Sequence, residues 1–406
     1  MNSFDEEMDR RLTTLREQGL LRELRRVDSP PGTRIRIGGR TLLNFSSNDY
    51  LGLANDPQLK EAAIKAVEKF GAGSGAARLI CGSLAPHHEL EEILAGFKGA
   101  EAAVSFSTGY ATAVGTICAL LGKDDVIVLD KLVHACIVDA ARLSGAKIRV
   151  FAHNDLEDLE KILRWSSTFR LSGSTPRGEL QPPRTLVVTE SIFSMDGDAA
   201  PLREMVALKE KHGAWLMVDE AHATGLYGPN RRGRAEETGT SERIEIQMGT
   251  LGKAVGAAGG YICGSRLLID FLVNRARSFI FSTAPVPAAA AAATAGIRFI
   301  QSTAGKTRLN LLWTRVDELK SEIGNRKSKT SGAIIPVLIG DETRAVAVSA
   351  ALRERGIFVP AIRYPTVARG RARLRVTLTA AHAQADVSEL ADALAQLKIQ
   401  NSKSRG

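Results

Sequence analysis

The chain is poor in aromatic residues and in sulfur. Phe, Trp and Tyr make up 5% of 406 residues, and its four cysteines, Cys81, Cys118, Cys136 and Cys263, form no Cys-x-x-Cys pair. Scattered in this way, they predict buried free thiols in a reducing compartment. No apolar run approaches the roughly 20 residues of a membrane-spanning helix. The charged start, Met1 to Arg11, lacks the apolar core of a secretory signal. A cytoplasmic chain without a membrane partner is expected.

Charge of one sign is in excess, at +9. The densest basic patches, Arg231–Arg234 and Arg369–Arg375, have none of the interleaved aromatics that single-strand nucleic-acid binders use. Nucleic acid is therefore not the expected partner, whereas small anions such as phosphates fit the charge.

Aliphatic and alanine residues are plentiful, as helices packed on a parallel sheet require. Residues 1 to about 28 read as a polar helix, ended by Pro30, Pro31 and Gly32. Arg34–Ile37 and Thr41–Phe45 read as short strands around the Gly38-Gly39 turn. Continuous apolar runs then end in polar residues: Val126–Leu129 before Asp130, Leu186–Val188 before Thr189 and Glu190, Trp215–Val218 before Asp219. Runs buried on both faces are what a parallel sheet between helices demands. Pro57–Phe70, His87–Phe97 and Leu202–His212 read as helices, and Ser166–Pro183 as an exposed loop.

Past Pro285 and Pro287 an alanine-rich helix begins. It is followed by strand Ala333–Ile339, helix Glu342–Arg355, strands Phe358–Ile362 and Leu374–Thr379, and helix Val387–Leu397. The expected organisation is α/β. Residues 1–48 form a helix and short strands, 49–285 a large domain with a mainly parallel sheet, 286–400 a smaller α+β domain, and 401–406 a frayed tail.

Three polar constellations follow apolar strands. In Asp219-Glu-Ala-His222 an acid leaves the strand, at the end where ligands of open α/β sheets collect. Alone, such a pair is more often a helix cap and a packed imidazole. Lys253 lies in Gly249-Thr-Leu-Gly-Lys-Ala254, with Gly256, Gly259 and Gly260 after it. Among small residues a lysine loses solvent, which lowers its proton affinity and makes its amine nucleophilic. A phosphate-loop reading fails, because Gln247 stands where glycine is required and Ala254 where Ser or Thr is. The turn Ser105-Phe-Ser-Thr-Gly-Tyr110 precedes a helix whose first amides can hold a phosphate. The run Gly71-Ala-Gly-Ser-Gly75 follows a helix, so it is not a dinucleotide loop. His88-Glu89 is not a zinc motif, since position 92 is Glu92, and His87 and His88 read as a solvated helix start.

Together, Asn44-Phe-Ser-Ser-Asn-Asp-Tyr-Leu-Gly-Leu53, Thr189-Glu-Ser-Ile-Phe-Ser-Met-Asp-Gly-Asp198, Val218-Asp-Glu-Ala-His222 and Gly249-Thr-Leu-Gly-Lys253 resemble the α-oxoamine synthases, a family of fold-type I enzymes that use pyridoxal 5'-phosphate (PLP). The resemblance spans nearly the whole chain. Pro360-Ala-Ile-Arg-Tyr-Pro-Thr-Val367 with Leu378-Thr-Ala-Ala-His382 is most similar to the biotin-pathway branch. Tyr364, where that branch often carries proline, and the segment Ser166–Pro183 depart from it, and the Tyr-Pro pair is also found in glycine C-acetyltransferase and 5-aminolevulinate synthase.

The resemblance implies roles. Lys253 holds PLP covalently and then moves the substrate proton. Asp219 pairs with the pyridine nitrogen, His222 bonds the phenolic oxygen with Ser194 nearby, and His134 stacks on the ring. Gly109, Tyr110 and Thr250 take the phosphate, and Ser282 and Thr283 reach the phosphate of a partner subunit. Arg363, with Thr366, takes the amino-acid carboxylate, Asn48 lies beside the substrate, and Arg22 meets the distal acyl carboxylate. The implied reaction joins L-alanine to a pimeloyl thioester, of CoA or of a carrier protein, with loss of CO2, in a homodimer with shared sites. Rival readings are another amino acid and acyl chain, or a PLP-binding protein without turnover.

Overall fold

The computed structural model describes residues 2–172, 183–323 and 332–397. Thirteen strands lie within them: β1 (Arg34–Ile37), β2 (Arg40–Asn44), β3 (Ala102–Phe106), β4 (Val126–Asp130), β5 (Lys147–Phe151), β6 (Thr185–Glu190), β7 (Trp215–Asp219), β8 (Ile246–Thr250), β9 (Gly260–Gly264), β10 (Ile334–Gly340), β11 (Ile357–Phe358), β12 (Ala361–Ile362) and β13 (Ala372–Thr377).

Seven of them form one sheet in the order β3-β9-β8-β7-β6-β4-β5. Pairs from β8 through β5 are parallel, and β9 runs antiparallel to both neighbours. Every residue of β3, β4 and β6 is buried, which explains why their sequences run apolar without alternation. Each fully buried aliphatic side chain of these strands stabilises the fold by about 1.5–3 kcal/mol. Apolar clusters cover both faces. Helix Pro57–Phe70 starts on an Asp56 side-chain cap followed by Pro57, and ends at Gly71 with φ +85°. The alanine-rich helix Pro287–Gln301 packs on Pro57–Phe70 and on Ala85–Lys98, its small residues letting the three approach closely.

Two three-stranded sheets complete the fold, β1-β2-β11 and β10-β13-β12. In the first, β11 pairs parallel to β2, with Ile357 opposite Leu43. The single strand expected over Phe358–Ile362 is thus two pieces in different sheets. Pro360, which cannot donate to a ladder, lies between them. The strand expected over Leu374–Thr379 begins two residues earlier, at Ala372.

Other expectations are corrected. The first helix covers only Ser3–Glu17 and buries no residue, and Gly19 at φ +65° follows it, so it does not reach residue 28. Helix Leu156–Ser172 occupies the start of the segment read as a loop from Ser166; 173–182 and the tail 401–406 lie outside the described residues. His87 is buried, its ring Nε2 donating to the carbonyl of Pro285 at 2.7 Å, while His88 is exposed. Cys136 and Cys263 are buried, but Cys81 is exposed. Among the described residues no helix is long and apolar enough to cross a membrane.

Candidate active site

The carboxyl ends of β4, β6, β7 and β8 deliver the chemistry-bearing residues to one edge of the sheet. Glu190 and Asp219 end adjacent parallel strands and are register partners. Lys253 follows β8 through a tight turn closed by Gly256 N–H to the Lys253 carbonyl at 2.9 Å.

The lysine amine lies 2.8 Å from His222 Nε2, and the other ring nitrogen, Nδ1, lies 2.6 Å from the Tyr50 hydroxyl. Burial drives His222 well below its ordinary value, so the ring is neutral. Burial also lowers Lys253, against the attraction of Asp219 and Glu190. In one tautomer Tyr50 donates to Nδ1 and Nε2–H faces the amine; in the other the amine donates to Nε2 and Nδ1–H donates to the Tyr50 oxygen. Either way, Lys253, His222 and Tyr50 form one buried line of hydrogen bonds. The Tyr50 hydroxyl also contacts Asn48 Oδ1 at 3.3 Å, which brings Asn48 to the same place.

Asp219 Oδ1 accepts from the Ala221 amide at 2.9 Å, and Oδ2 takes no hydrogen bond among the described residues. Burial raises Asp219 and Lys253 opposes it. Glu190 is raised by burial and then by Asp219, and its Oε1 is buried without a partner. The two carboxyls lie side by side, and Lys253 opposes the rise of both.

His134 caps helix Ala135–Ser144. Its Nδ1 accepts from the Cys136 amide at 3.2 Å and from the Cys136 thiol at 3.0 Å. Burial keeps this ring neutral, so Nε2 carries the hydrogen and a flat face is available for stacking.

Gly109 opens helix Gly109–Leu120 after the Thr108 cap, with Thr250 beside it. A Cβ on Gly260 would lie 2.8 Å from Gly109 Cα, so position 260 needs glycine for the strand to approach the helix start, whereas a Cβ on Gly109 itself would meet only Met248 and Thr250 at 3.9 Å. Tyr110 is half exposed and bonds Asp139 at 3.0 Å.

The remaining expected residues lie elsewhere. Ser282 and Thr283 sit on a segment bridged to Ala77. Arg22, Arg363 and Thr366 line a cavity of about 400 Å³ together with Arg25 and Arg353. Arg363 reaches the carbonyl of Leu21 at 3.5 Å. The charge of Arg375 lowers both Lys253 and His222, and its Nε donates to the Ser194 carbonyl at 2.6 Å. Sequence reasoning missed Arg375, Tyr50 and Cys136 as members of this cluster. It noted Glu190 only as a strand end.

These residues fit PLP. Asp219 Oδ2 is open to a protonated ring nitrogen, His134 offers a neutral ring, and the glycine cradle at the start of helix Gly109–Leu120 suits a phosphate. The partnerless buried oxygen of Glu190 marks a site with room for a polar group.

The family model "Aminotransferase class I and II" matches residues 40–394. The chain is 48% identical over 385 residues to a protein of Anaeromyxobacter sp. (strain K) named 8-amino-7-oxononanoate synthase, covering 95% of this chain and 93% of the relative. A Geobacter sulfurreducens protein of the same name is 44% identical over 389 residues, covering 95% and 96%. Among solved structures, serine palmitoyltransferase of Sphingomonas wittichii superposes with a TM-score of 0.86 at 32% identity, over 98% of this chain and 99% of that one. The 8-amino-7-oxononanoate synthase of Francisella tularensis gives 0.71 at 25% identity, over 88% and 98%. The chain therefore belongs to the aminotransferase class I and II family, and within it to the α-oxoamine synthases, PLP-dependent acyltransferases of fold type I.

Proposed function

We propose that the chain condenses L-alanine with a pimeloyl thioester, of CoA or of a carrier protein, releasing the thiol and CO2 and giving 8-amino-7-oxononanoate for biotin synthesis. The observation that carries this reading is 48% identity over nearly the whole length to relatives of that name, combined with the Lys253–His222–Tyr50 chain at the sheet edge.

When bound, PLP supplies an electron-accepting ring that stabilises negative charge left at the amino-acid Cα. The chain's residues do the rest. Lys253, whose proton affinity burial lowers, takes the Cα proton and later returns one. His222 and Tyr50 hold that amine in line by hydrogen bonds. Asp219 keeps a negative charge where the ring nitrogen would lie, and His134 supports the ring face.

Arg375, in place of Arg363, receives the amino-acid carboxylate. Its Nε is fixed on the Ser194 carbonyl and its guanidinium also bonds the Tyr50 side chain, so its charge is held beside the Lys253–His222–Tyr50 line. Arg363, Arg22 and Thr366 then belong to the acyl substrate, in a cavity walled by Leu21, Phe358 and Ile362 that suits a chain with a terminal carboxylate.

A second reading, serine with a long acyl thioester, is favoured by the closer superposition on serine palmitoyltransferase. Thiol release with alanine, glycine or serine, each paired with pimeloyl-, acetyl- or palmitoyl-CoA, separates them. Fastest release with alanine and pimeloyl-CoA is expected. Fastest release with serine and palmitoyl-CoA would replace the proposal by the second reading.

The site is read as one of two in a homodimer. Ile80 and Phe281, 79% and 70% exposed in the single chain, flank the Ala77–Thr283 bridge and would be covered by a partner. Four free thiols accord with a cytoplasmic enzyme.

A further inference from the structure

Behind His134 and Ser194 lies a second polar cluster that the reaction does not use. His153 follows β5, and its ring stands between two carboxylates: Nδ1 lies 3.0 Å from Asp130 Oδ1 and Nε2 lies 2.8 Å from Asp198 Oδ2. Asp130 ends β4, and Asp198 closes the loop after β6. A neutral imidazole donates from only one nitrogen, so a ring with a carboxylate at each nitrogen donates from both and carries a charge. Burial opposes that charge, but the hydrogen bonds to Asp130 and Asp198 outweigh it and lift the imidazolium to about 10.

The neighbouring backbone is built around this ring. Asn154 adopts φ +58°, uncommon for a residue with a side chain. In that conformation its amide donates to Asp130 Oδ2 at 2.9 Å, and its side chain reaches the Ala199 carbonyl at 3.2 Å. The Phe193 ring meets the imidazole edge-on, with centroids 4.4 Å apart.

The Asp130 carboxylate and the Asp198 backbone each fix a turn that carries a site residue. Asp130 Oδ1 accepts from the Leu132 amide at 2.8 Å, which shapes the turn leading to His134. Asp198 closes the turn around Ser194 through Phe193 N–H to its own carbonyl at 3.0 Å, with Gly197 N–H on the Phe193 carbonyl at 2.8 Å. The brace thus ties the ends of β5, β4 and β6, three strands adjacent in the sheet.

We propose that His153, as an imidazolium clamped between Asp130 and Asp198, is a positioning residue that sets the spacing of the His134 and Ser194 loops and so the seat of the PLP ring. The proposal rests on the reading of His134 and Ser194 as cofactor contacts.

The test uses the full chain. Amide hydrogen exchange over residues 131–136 and 192–199 is measured on PLP-free protein, and PLP affinity and the visible circular dichroism of bound PLP are measured by titration. His153→Gln is expected to speed exchange in both segments, to weaken PLP binding by about 10- to 100-fold, and to alter the visible signal. That is the scale for losing a group that orients a ligating side chain. Asp198→Asn, which leaves the Asp130 half of the pair, moves all three in the same direction and answers the question if His153→Gln fails to fold.

Unchanged exchange in either segment would overturn the brace. Faster exchange with wild-type PLP affinity and visible signal would overturn its positioning role, because a merely structural pair would behave that way. Wild-type PLP affinity in His134→Ala would overturn the reading of that residue as a cofactor contact, independently of the exchange result on the brace.

Discussion

Arg363 and Arg375 illustrate how residue identity and residue position can part company. Arg363 stands in the motif that resembles the family, whereas Arg375 lies in Arg369–Arg375, which the sequence presents only as a dense basic patch. In the fold Arg373 and Arg375 are 5% and 8% exposed on β13, bound to Asp196 and to the Ser194 carbonyl. Charge composition does not register burial, so this pair was illegible until the strand had been placed. Replacing Arg375 by alanine should raise the Michaelis constant for the amino acid about 10- to 100-fold, the value of losing charge-assisted hydrogen bonds worth ~1.5–3 kcal/mol. Arg363→Ala should leave that constant within about twofold and weaken the acyl thioester instead. The opposite pattern in steady-state kinetics would return the carboxylate to Arg363. Lys253→Ala should cost at least about 10²–10⁴-fold in turnover, the range for a proton-transfer group, with an unchanged far-ultraviolet spectrum. Substantial residual turnover would assign the base elsewhere. Lys253, Asp219 and His222 stood out because each sits in a short contiguous motif. Tyr50 and Glu190 were inside quoted motifs but had no role until distances were known.

At the scale of elements, strands buried on both faces were legible from their unbroken apolar runs, and β4, β6 and β7 lie where those runs predict. The glycine-rich β8 and β9 carry little apolar signal, and their purpose is close approach. An alanine at Gly260 would place its Cβ 2.4 Å from Thr112 Oγ1 and 2.8 Å from Gly109 Cα, forcing helix Gly109–Leu120 off the strand. Overpacking of this kind costs about 1–3 kcal/mol. Gly260→Ala should therefore lower the melting temperature and weaken PLP binding, and normal values for both would show that the helix start can shift freely. The clasp around His153 gives a pH-dependent prediction. Its folded value, about 10, exceeds the ordinary 6.5. Its stabilisation is therefore complete below pH 6.5 and disappears as pH rises through about 10. The melting-temperature gap between wild type and His153→Gln should be widest near pH 6 and should close toward pH 10. A gap that widens with pH would mean the ring is neutral in the fold.

For the whole molecule, alternation of strand and helix was enough to give the α/β class, since few architectures satisfy that order. What could not be read was the long-distance pairing, because register between segments hundreds of residues apart leaves no local periodicity. Association is predicted at this scale too. Light scattering should report a dimer, and Phe281→Asp, by charging the exposed apolar surface beside the bridge, should shift it toward monomer with loss of PLP. A fully active wild-type monomer would remove the case for shared sites.

The parallel pairing of β2 with β11 also imposes a timetable on synthesis. The amide of Leu43 bonds the carbonyl of Gly356 at 2.7 Å, and that of Phe45 bonds the carbonyl of Phe358 at 3.1 Å, immediately before Asn48 and Tyr50. A chain emerging from the ribosome exposes residues 40–45 early but cannot close their sheet until residue 358 has followed, some tens of seconds later at ~5–20 residues per second. The substrate side of the site is therefore completed nearly last, although Asn48 and Tyr50 are made among the first. A nascent chain should acquire the large sheet, and with it the lysine pocket, before it can hold an amino acid.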